Sequence, residues 1–502
     1  MKPVSAVQKS LIIFTIMLAA ILEVLDSTIV NIALPNMMPS LSADQDQITW
    51  VLTSYVVAAA MMLPLTGFLS QRFGVKKLLI IDITGFMISS FACGTANTLT
   101  SMVFYRLLQG GFGAALIPLS QAILRESFPL EEQGKAMAIW GLGIMVAPVF
   151  GPSLGGYILT TASWRWIFYL NTPICFFGLL MTLWVIPAST KTRRHIDYLG
   201  VLLMFTGIGC LQVFLDQGNS RDWFSSNLIL LLAIISVAGI VLFILRTRAH
   251  PNPVITFVIF RDRNFTLCTI LLTAFCGFVF AFFTLEPVML ESLFGYTPLA
   301  AGNAMIAMGL ASAVGMSLSP TLMKYWNIKY ILTFGLAASS IAGFYFAHLN
   351  GQATHSMFSL GNALFGFGIG LFMVPITTYS LATLPEHYIT EAAGLFSYGR
   401  MLGTSTGISL LSTLAAREAQ INWVHINQHL NATNPNVTLW LQEQHLSLHH
   451  PKTLIILQEL LSSQAHLIGF LDAYYLIGWC LLLLVPLVFC LKRVVGITTD
   501  TH

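Results

Sequence analysis

The first run of apolar residues, at positions 11–34, contains two acidic side chains, Glu23 and Asp26, although it is otherwise apolar and long enough to cross a bilayer. An acidic residue near the middle of a membrane helix costs roughly 2.5 to 3.5 kcal/mol on insertion scales, so such residues are rare unless they face protein or water. Their spacing puts both on nearly one side of a helix. Because two carboxylates cannot both ionise cheaply in such a site, we predict that one of them binds a proton.

A positive charge is expected to oppose these acids. Arg106 lies about six residues, or roughly 9 Å, into the fourth apolar run, and Asp26 lies roughly 12 Å below the end of the first. The depths match, so we predict that the two side chains pair, directly or through water. Arginine is always charged, so Arg106 would hold Asp26 ionised and leave Glu23 as the more readily protonated acid. Arg400, in the thirteenth run, has no acid at its depth in its own helix, which leaves substrate contact and a partner in another helix both open.

The composition indicates what kind of protein houses these charges. Of the 502 residues, 56% are hydrophobic and 9% are charged, and the mean hydropathy is +0.77, whereas soluble domains are about 25% charged. The apolar runs are continuous for about twenty residues, which favours membrane helices over the alternating segments of a β-barrel. The net charge of +3 indicates no nucleic-acid partner. The seven cysteines are scattered among apolar runs and are interpreted as packing residues rather than metal ligands.

The distribution of basic residues orients the apolar runs. Most of the 24 basic residues fall on one side if the N-terminus is cytoplasmic, and an even number of spans keeps Lys492 and Arg493 on that side. We therefore predict an all-α integral membrane protein with fourteen transmembrane helices and both termini in the cytoplasm. The runs lie at residues 11–34, 48–70, 78–97, 101–124, 136–160, 166–187, 198–215, 227–246, 265–290, 298–320, 329–347, 355–378, 391–415 and 469–491.

A weak internal repeat divides the chain. The glycine-rich segment 110–113, followed by prolines, is echoed at 366–370, so the fourth run resembles the twelfth. That offset of eight predicts two six-helix halves separated by two inserted helices, an arrangement typical of transporters with a site between the halves. The predicted units are an N-terminal half at 1–190, a linker with two inserted helices at 191–250, and a C-terminal half at 251–502 that includes an outer loop at 416–468.

The fifth run has small residues at every fourth position and two prolines. Such a groove lets a neighbouring helix approach closely, and prolines permit a bend. Simple helix packing explains the pattern as well as a gating role does. The residues concerned are Gly143, Ala147, Pro148, Gly151, Pro152 and Gly155.

Several motifs together resemble the major facilitator superfamily and, within it, the fourteen-helix drug:proton antiporters of the EmrB/QacA type, closest to the EmrB side. The resemblance rests on LDSTIVNIALP at 25–35, GFLSQRFGVKK at 67–77, RLLQG at 106–110, APVFGPSLGG at 147–156, WRWIFYLN at 164–171, and the segments 215–216 and 222–226. It implies a major-facilitator-type fold, proton coupling at Asp26, Glu23 and Arg106, and conformational gating by Gly67, Arg72, Gly74, Asp82 and the small residues of the fifth helix.

The loop at 67–77 departs from the family pattern. Gln71 stands where an acidic residue is usual and Val75 where a basic one is usual, which puts the charge relay of that loop in doubt. Asp82 could supply the missing negative charge beside Arg72 and Lys76, and a structural ion pair is the interpretation we favour.

Export driven by a proton gradient is the predicted function, with small amphipathic or hydrophobic substrates. The sequence contains no phosphate-binding G-x-x-x-x-G-K-[ST] motif and no combination of nucleophile, base and oxyanion donor, so neither ATP, nor another cofactor, nor enzymatic activity is expected. Residues that suit aromatic, amphipathic ligands, or ordinary packing, are Asn31, Tyr55, Gln109, Gln121, Tyr379, Tyr398 and Arg400.

Two alternatives stay open: a dedicated exporter of one metabolite, such as a siderophore or a fatty acid, and a receptor or scaffold that does not transport. The resemblance implies the bacterial inner membrane, contact with membrane lipids, and a periplasmic adaptor with an outer-membrane channel reached through the outer loop. Glu286 and Asp472 lie near the ends of their runs and are predicted to be interfacial.

Overall fold

The computed structural model describes residues 6–187, 196–251, 253–430, 434–443 and 451–492. Every regular element in these ranges is a helix. The long helices are α1 (Ala6–Leu41), α2 (Trp50–Phe73), α3 (Val75–Thr95), α4 (Leu99–Ser127), α5 (Leu130–Thr161), α6 (Arg165–Val185), α7 (Tyr198–Gln217), α8 (Asn227–Ala249), α9 (Arg263–Phe294), α10 (Pro298–Tyr325), α11 (Ile328–Ala347), α12 (His355–Ser380), α13 (Ile389–Asn427) and α14 (Lys452–Phe489). Short helices Gln45–Ile48 and Pro435–Glu443 follow α1 and α13.

Twelve of these helices are long and apolar enough to cross a membrane, and α5 and α13 are not among the twelve. Helix α13 is rich in Gly, Ser and Thr and carries Arg400, which lower its hydropathy. An all-helical, multi-pass architecture is therefore confirmed. The count of fourteen spans stays a prediction.

Helices α2, α4 and α14 are interrupted at residues 63–65, 114–115 and 484, each time at a proline or within three residues before one. The prolines are Pro64, Pro118 and Pro486, and a proline ring removes one helical hydrogen bond and crowds the carbonyl four residues earlier. These breaks allow three helices to change direction within the bundle.

The turn between α2 and α3 is made by Gly74. Its φ is +84° and its ψ is 144°, a conformation that side chains with a Cβ rarely adopt. The Gly74 N–H donates to the Ser70 carbonyl at 2.7 Å and closes α2. Glycine is therefore needed here for the turn itself.

The helix contacts fall into two six-helix groups and an added pair. Helix α1 lies against α4, α5 and α6, while α9–α14 pack around aromatic side chains such as Phe282 and Phe365, whose ring centroids are 4.1 Å apart. Helices α7 and α8 cross closely, because a Cβ added at Gly207 would lie 2.8 Å from the Ile240 nitrogen. Helix α7 also packs against α2 and α13, so the pair sits beside both groups.

The small residues of α5 face α1, within the first group. An added Cβ at Gly151 would lie 2.6 Å from Thr28 Oγ1, and one at Gly155 would lie 3.1 Å from Ile29 Cγ2. Gly143 also faces α1. The predicted groove is thus a close helix contact. Helix α5 runs through the other three predicted residues, whose side chains lie outside the described part: Ala147, Pro148 and Pro152.

The two groups meet at the end of the bundle that holds the α2–α3 turn. A Cβ added at Gly67 would coincide with the Glu391 backbone, so α2 and α13 almost touch there. Nearby, Arg125 Nη2 donates to the Ala382 carbonyl at 3.2 Å. The predicted cytoplasmic end therefore holds close contacts between the groups.

Candidate functional site

Asp26 is the centre of a buried polar cluster in the first helix group. Its side chain is fully buried, and Oδ2 accepts a hydrogen bond from Arg106 Nη1 at 2.5 Å. Oδ1 accepts from Gln109 Nε2 at 2.9 Å and from Asn171 Nδ2 at 2.8 Å. The predicted contact between Asp26 and Arg106 is therefore direct. We call these four residues the Asp26 pocket.

Arg106 makes several further contacts besides that with Asp26. Its Nε donates to the Val51 carbonyl at 3.1 Å, and Nη1 also reaches Gln109 Oε1 at 2.7 Å. The guanidinium lies over the Tyr55 ring, 4.3 Å from the centroid, where a cation is attracted by the ring face. A buried ion pair is tolerated only when such contacts compensate for lost water, and here they do.

Two members of this network were missed by sequence reasoning. Asn171, on α6, donates to both Asp26 and Ser90 Oγ, the latter at 3.1 Å, and Ser90 in turn donates to the Phe168 carbonyl at 2.9 Å. Asn171 ends the WRWIFYLN motif and is polar within an apolar run, so a signal was present. Its partner Ser90 carried no such signal, because many serines in membrane helices only donate a hydrogen bond to a carbonyl of their own helix.

Glu23 makes its ion contact with the second helix group. Its Oε1 lies 4.0 Å from Arg400 Nη2 on α13, and the two side chains are 14% and 23% exposed. Glu23 Oε2 has no hydrogen-bond partner in the described part of the chain. Glu23 and Asp26 each face an arginine of their own, and the expectation that the two acids act as one site stays a prediction. Arg400, left open above, has a partner in another helix.

The predicted substrate residues do not form one cavity wall. Gln109 belongs to the Asp26 pocket and Tyr55 lies under its Arg106. Tyr398, two residues before Arg400, packs against Ala59 and Leu63. Asn31 is exposed, and Gln121 is buried with its Oε1 unpartnered among the described residues. The Tyr379 hydroxyl donates to the Lys492 carbonyl at 2.6 Å, beyond the end of α14, and substrate contact by this residue stays a prediction.

The predicted charge pair in the α2–α3 region is also wrong. Asp82 is buried, its Oδ2 has no hydrogen-bond partner, and none of the ion pairs among the described residues includes it. Arg72 is exposed, and Lys76 Nζ instead donates to the Leu183 carbonyl at 2.9 Å. The pair does not form because Asp82 lies almost two turns into α3, whereas the basic side chains lie near the start of that helix.

Glu286 was predicted to be interfacial and is instead completely buried in α9. Its Oε1 accepts a hydrogen bond from Asn362 Nδ2 at 2.5 Å. Helix α9 continues to Phe294, well past the predicted end of the run, which moves Glu286 inward. Asp472 is exposed, as an interfacial residue would be.

The surface of the bundle is as informative as its interior. Helix α8 exposes apolar side chains around most of its circumference, including Leu231, Ile234, Val237 and Leu245, each more than half exposed. Such a surface suits lipid and not water. Paired helix groups with buried charges and an apolar exterior define a multi-pass membrane transporter.

Comparison with known proteins places the chain within that class. A family model described as Major Facilitator Superfamily matches residues 16–408, and the chain belongs to this superfamily. It is 33% identical to the multidrug export protein EmrB of Haemophilus influenzae over 93% of this chain and 92% of that one. It is 31% identical to EmrB of Escherichia coli K12, covering 99% and 98% of the two chains. The predicted resemblance to EmrB-type drug transporters of the bacterial inner membrane is confirmed.

One further relative and one solved structure extend the comparison. The fatty acid resistance protein FarB of Neisseria gonorrhoeae is 34% identical over 95% of this chain and 94% of its own. The structure of the proton:xylose symporter XylE superposes with a TM-score of 0.63 at 14% identity, covering 96% of this chain and 95% of that one. At this identity the likeness shows the fold alone.

Proposed function

We propose that this chain exports small amphipathic and hydrophobic compounds, including drugs, from the cell in exchange for protons. The two relatives named multidrug export proteins support the substrate class. The observation that carries the proton exchange is Glu23, a largely buried carboxyl with one oxygen that has no hydrogen-bond partner among the described residues, which faces Arg400 across the boundary between the helix groups.

The coupling step follows from the positions of the two acids. An ionised Glu23 attracts Arg400 and favours the approach of α1 to α13, whereas a proton on Glu23 removes that attraction. Protonation therefore changes how strongly the two helix groups adhere. Asp26 has both oxygens occupied by Arg106, Gln109 and Asn171, so its role is to fix α1 against α4 and α6.

The test is transport in proteoliposomes with an internal pH dye and an imposed pH step. Substrate accumulation coupled to proton efflux from the acidic side is expected for the wild-type chain, with a panel of amphipathic dyes as substrates. Accumulation that persists with the gradient collapsed by an ionophore would exclude proton exchange. Arg400→Lys serves as the matched variant, because it keeps the charge facing Glu23.

A second candidate substrate class is fatty acids, favoured by the likeness to FarB and by Arg400. This arginine is 23% exposed and has only a 4.0 Å contact to Glu23, so it can offer a guanidinium to a substrate carboxylate. Competition between fatty acids and neutral dyes separates the two classes. If Arg400→Gln loses fatty-acid transport alone, carboxylate recognition is established.

The chain is further proposed to cross the membrane fourteen times, with halves at 1–190 and 251–502, inserted helices within 191–250, and both termini in the cytoplasm. The close contacts of α5 with α1 and of α13 with α9 and α14 support spans for both helices. Reporter fusions after Ser189 and His502 should give a cytoplasmic signal, and a fusion near Asn434 an outer one. A cytoplasmic signal at Asn434 would exclude this topology.

The outer segment is proposed to dock a periplasmic adaptor. Helix α13 has 39 residues, or about 58 Å of helix, against a hydrocarbon core of about 30 Å, so it projects outside. With α14 and the short helix Pro435–Glu443 it encloses an apolar groove of about 350 Å³. The groove is lined by Ile426, Leu430, Val437, Leu457, Leu460, Leu461 and Gln464.

Point variants test this docking without removing the loop. Leu460, 44% exposed beside the groove, changed to Glu should abolish crosslinking to an adaptor while transport in proteoliposomes persists. Gln420→Glu, on an exposed position of α13, is the matched control. Lost transport in a folded Leu460→Glu protein would assign the segment to the transport path instead.

A further inference from the structure

The second helix group contains a buried acid that the proposed coupling does not use. Glu286 on α9 accepts one hydrogen bond, from Asn362 Nδ2, and that nitrogen also donates to the Ala304 carbonyl at 3.1 Å. Glu286 Oε2 and Asn362 Oδ1 are both buried and have no hydrogen-bond partner in the described ranges. Two oxygens that can only accept are thus left without a donor when Glu286 is ionised.

This site repeats the backbone of the Asp26 pocket. Arg106 on α4 donates to the Val51 carbonyl of α2, and Asn362 on α12 donates to the Ala304 carbonyl of α10. Four residues further along each helix the backbones touch, since a Cβ at Gly110 would meet the Tyr55 carbonyl and one at Gly366 the Met308 carbonyl. Asn362 therefore occupies the position in the second helix group that Arg106 occupies in the first, and each of them donates to a buried acid, Glu286 and Asp26 respectively.

The difference lies in the charge of the partner. None of the four ion pairs among the described residues includes Glu286. Helix α10 offers a carbonyl, α12 an amide, and α14 the Tyr474 hydroxyl, which interacts electrostatically with Glu286 and lacks a hydrogen-bond partner. The Tyr474 ring packs against the rings of Phe282 and Phe346, with centroids 5.1 and 5.2 Å away.

A buried carboxylate without a cation or sufficient donors is strongly disfavoured. One proton on Glu286 removes the charge and supplies the donor that the unpartnered acceptors lack, while Oε1 still accepts from Asn362. A carboxylic acid and a primary amide are complementary in this way, each with one donor and one acceptor.

We propose that Glu286 is a second proton-binding site, which carries its proton in the conformation seen here and releases it during the transport cycle. The release step rests on the proton exchange proposed above. The bound proton does not, because it follows from the pocket alone.

Infrared difference spectroscopy of the purified full chain at neutral pH tests the bound proton. A carboxylic-acid carbonyl band is expected in the wild type, lost in Glu286→Gln and retained in Asp26→Asn. Asn362→Ala should shift this band, because the amide hydrogen bond is removed while the acid remains. The Asn362 variant also keeps the test decisive if Glu286→Gln does not fold. Wild-type and Glu286→Gln spectra that coincide would show an ionised Glu286 and overturn the proposal.

The ratio of protons to substrate in proteoliposomes tests the release. Glu286→Gln is expected to lower the ratio while export continues, and an unchanged ratio would make Glu286 a fixed acid and overturn the exchange. If the wild type itself moves no protons with substrate, the proposed function fails, yet the infrared band still reports whether the site holds a proton. The two failures are thereby distinguished.

Discussion

The Asp26 pocket and the Glu286 site share one backbone arrangement, but among the described residues only the Asp26 pocket contains a positive charge. In both, a polar side chain donates to a carbonyl of the neighbouring helix and a glycine four residues later touches that helix. Arg106 gives Asp26 a permanent counter-charge, whereas Asn362 gives Glu286 an amide. The side chain at the position of Arg106 or Asn362 therefore decides whether the buried acid is ionised in an ion pair or binds a proton.

The difference also assigns a supporting role to the Asp26 pocket and proton exchange to the Glu286 site. Asp26 joins α1, α4 and α6 through three donors, and separating these helices would expose two buried charges at once. Glu286 accepts a single amide hydrogen bond and is neutral when protonated, so exchange of its proton breaks no buried ion pair. The first pocket is a fixed support, and the second can exchange a proton during the transport cycle.

The sharpest way to break this comparison is Asp26→Asn, with Glu286→Gln as the matched change in the other half. Removing the Asp26 charge leaves Arg106 buried without a counter-ion, which costs about 3–5 kcal/mol. We expect gradient-driven export to be abolished and thermal stability to fall sharply, while Glu286→Gln keeps most of both. The measurements are accumulation in proteoliposomes and unfolding in detergent.

The double variant Asp26→Asn with Arg106→Gln controls for charge. It removes both charges together, so its stability should exceed that of either single variant, and the coupling energy of the cycle isolates the pair. Accumulation against a gradient by Asp26→Asn alone would show that the first pocket is dispensable and that the contrast with Glu286 does not bear on coupling.

A smaller effect is expected from the paired glycines. Gly110→Ala and Gly366→Ala each push a methyl group into a backbone carbonyl of the adjacent helix, and overpacking of this kind costs about 1–3 kcal/mol. Because the two contacts are equivalent, we expect similar losses of thermal stability. Gly156→Ala, where an added Cβ meets nothing within 4 Å, is the control. Unequal losses would show that the halves do not share this backbone arrangement.

Charged residues inside apolar runs explain what could be predicted from the sequence. Asp26 and Arg106 were found because each is rare in a membrane helix and their depths could be compared by counting residues. Glu286 was misplaced because its burial depends on α10, α12 and α14 closing around it. The contact of Glu23 with Arg400 could not be found, since it depends on how the two helix groups lie against each other, and no spacing along one helix contains that information.

The smallest expected effect, and the one that sharpens the comparison most, is that of Glu23→Gln. Since Arg106 occupies Asp26, the exchangeable acid of the first group is Glu23, as Glu286 is that of the second. Glu23→Gln resembles the protonated form at every pH. In the wild type, the export rate should change with rising pH, because Glu23 then loses its proton and attracts Arg400. The variant has no such step, so it should keep export while the export rate depends less on pH. Initial rates measured across a pH series decide this, with Arg400→Lys expected to retain the wild-type profile.

The double variant Glu23→Gln with Glu286→Gln should then lose gradient-driven accumulation that each single variant keeps. If the double variant still accumulates substrate, proton exchange occurs elsewhere, and the buried Asp82 is the next acid to replace.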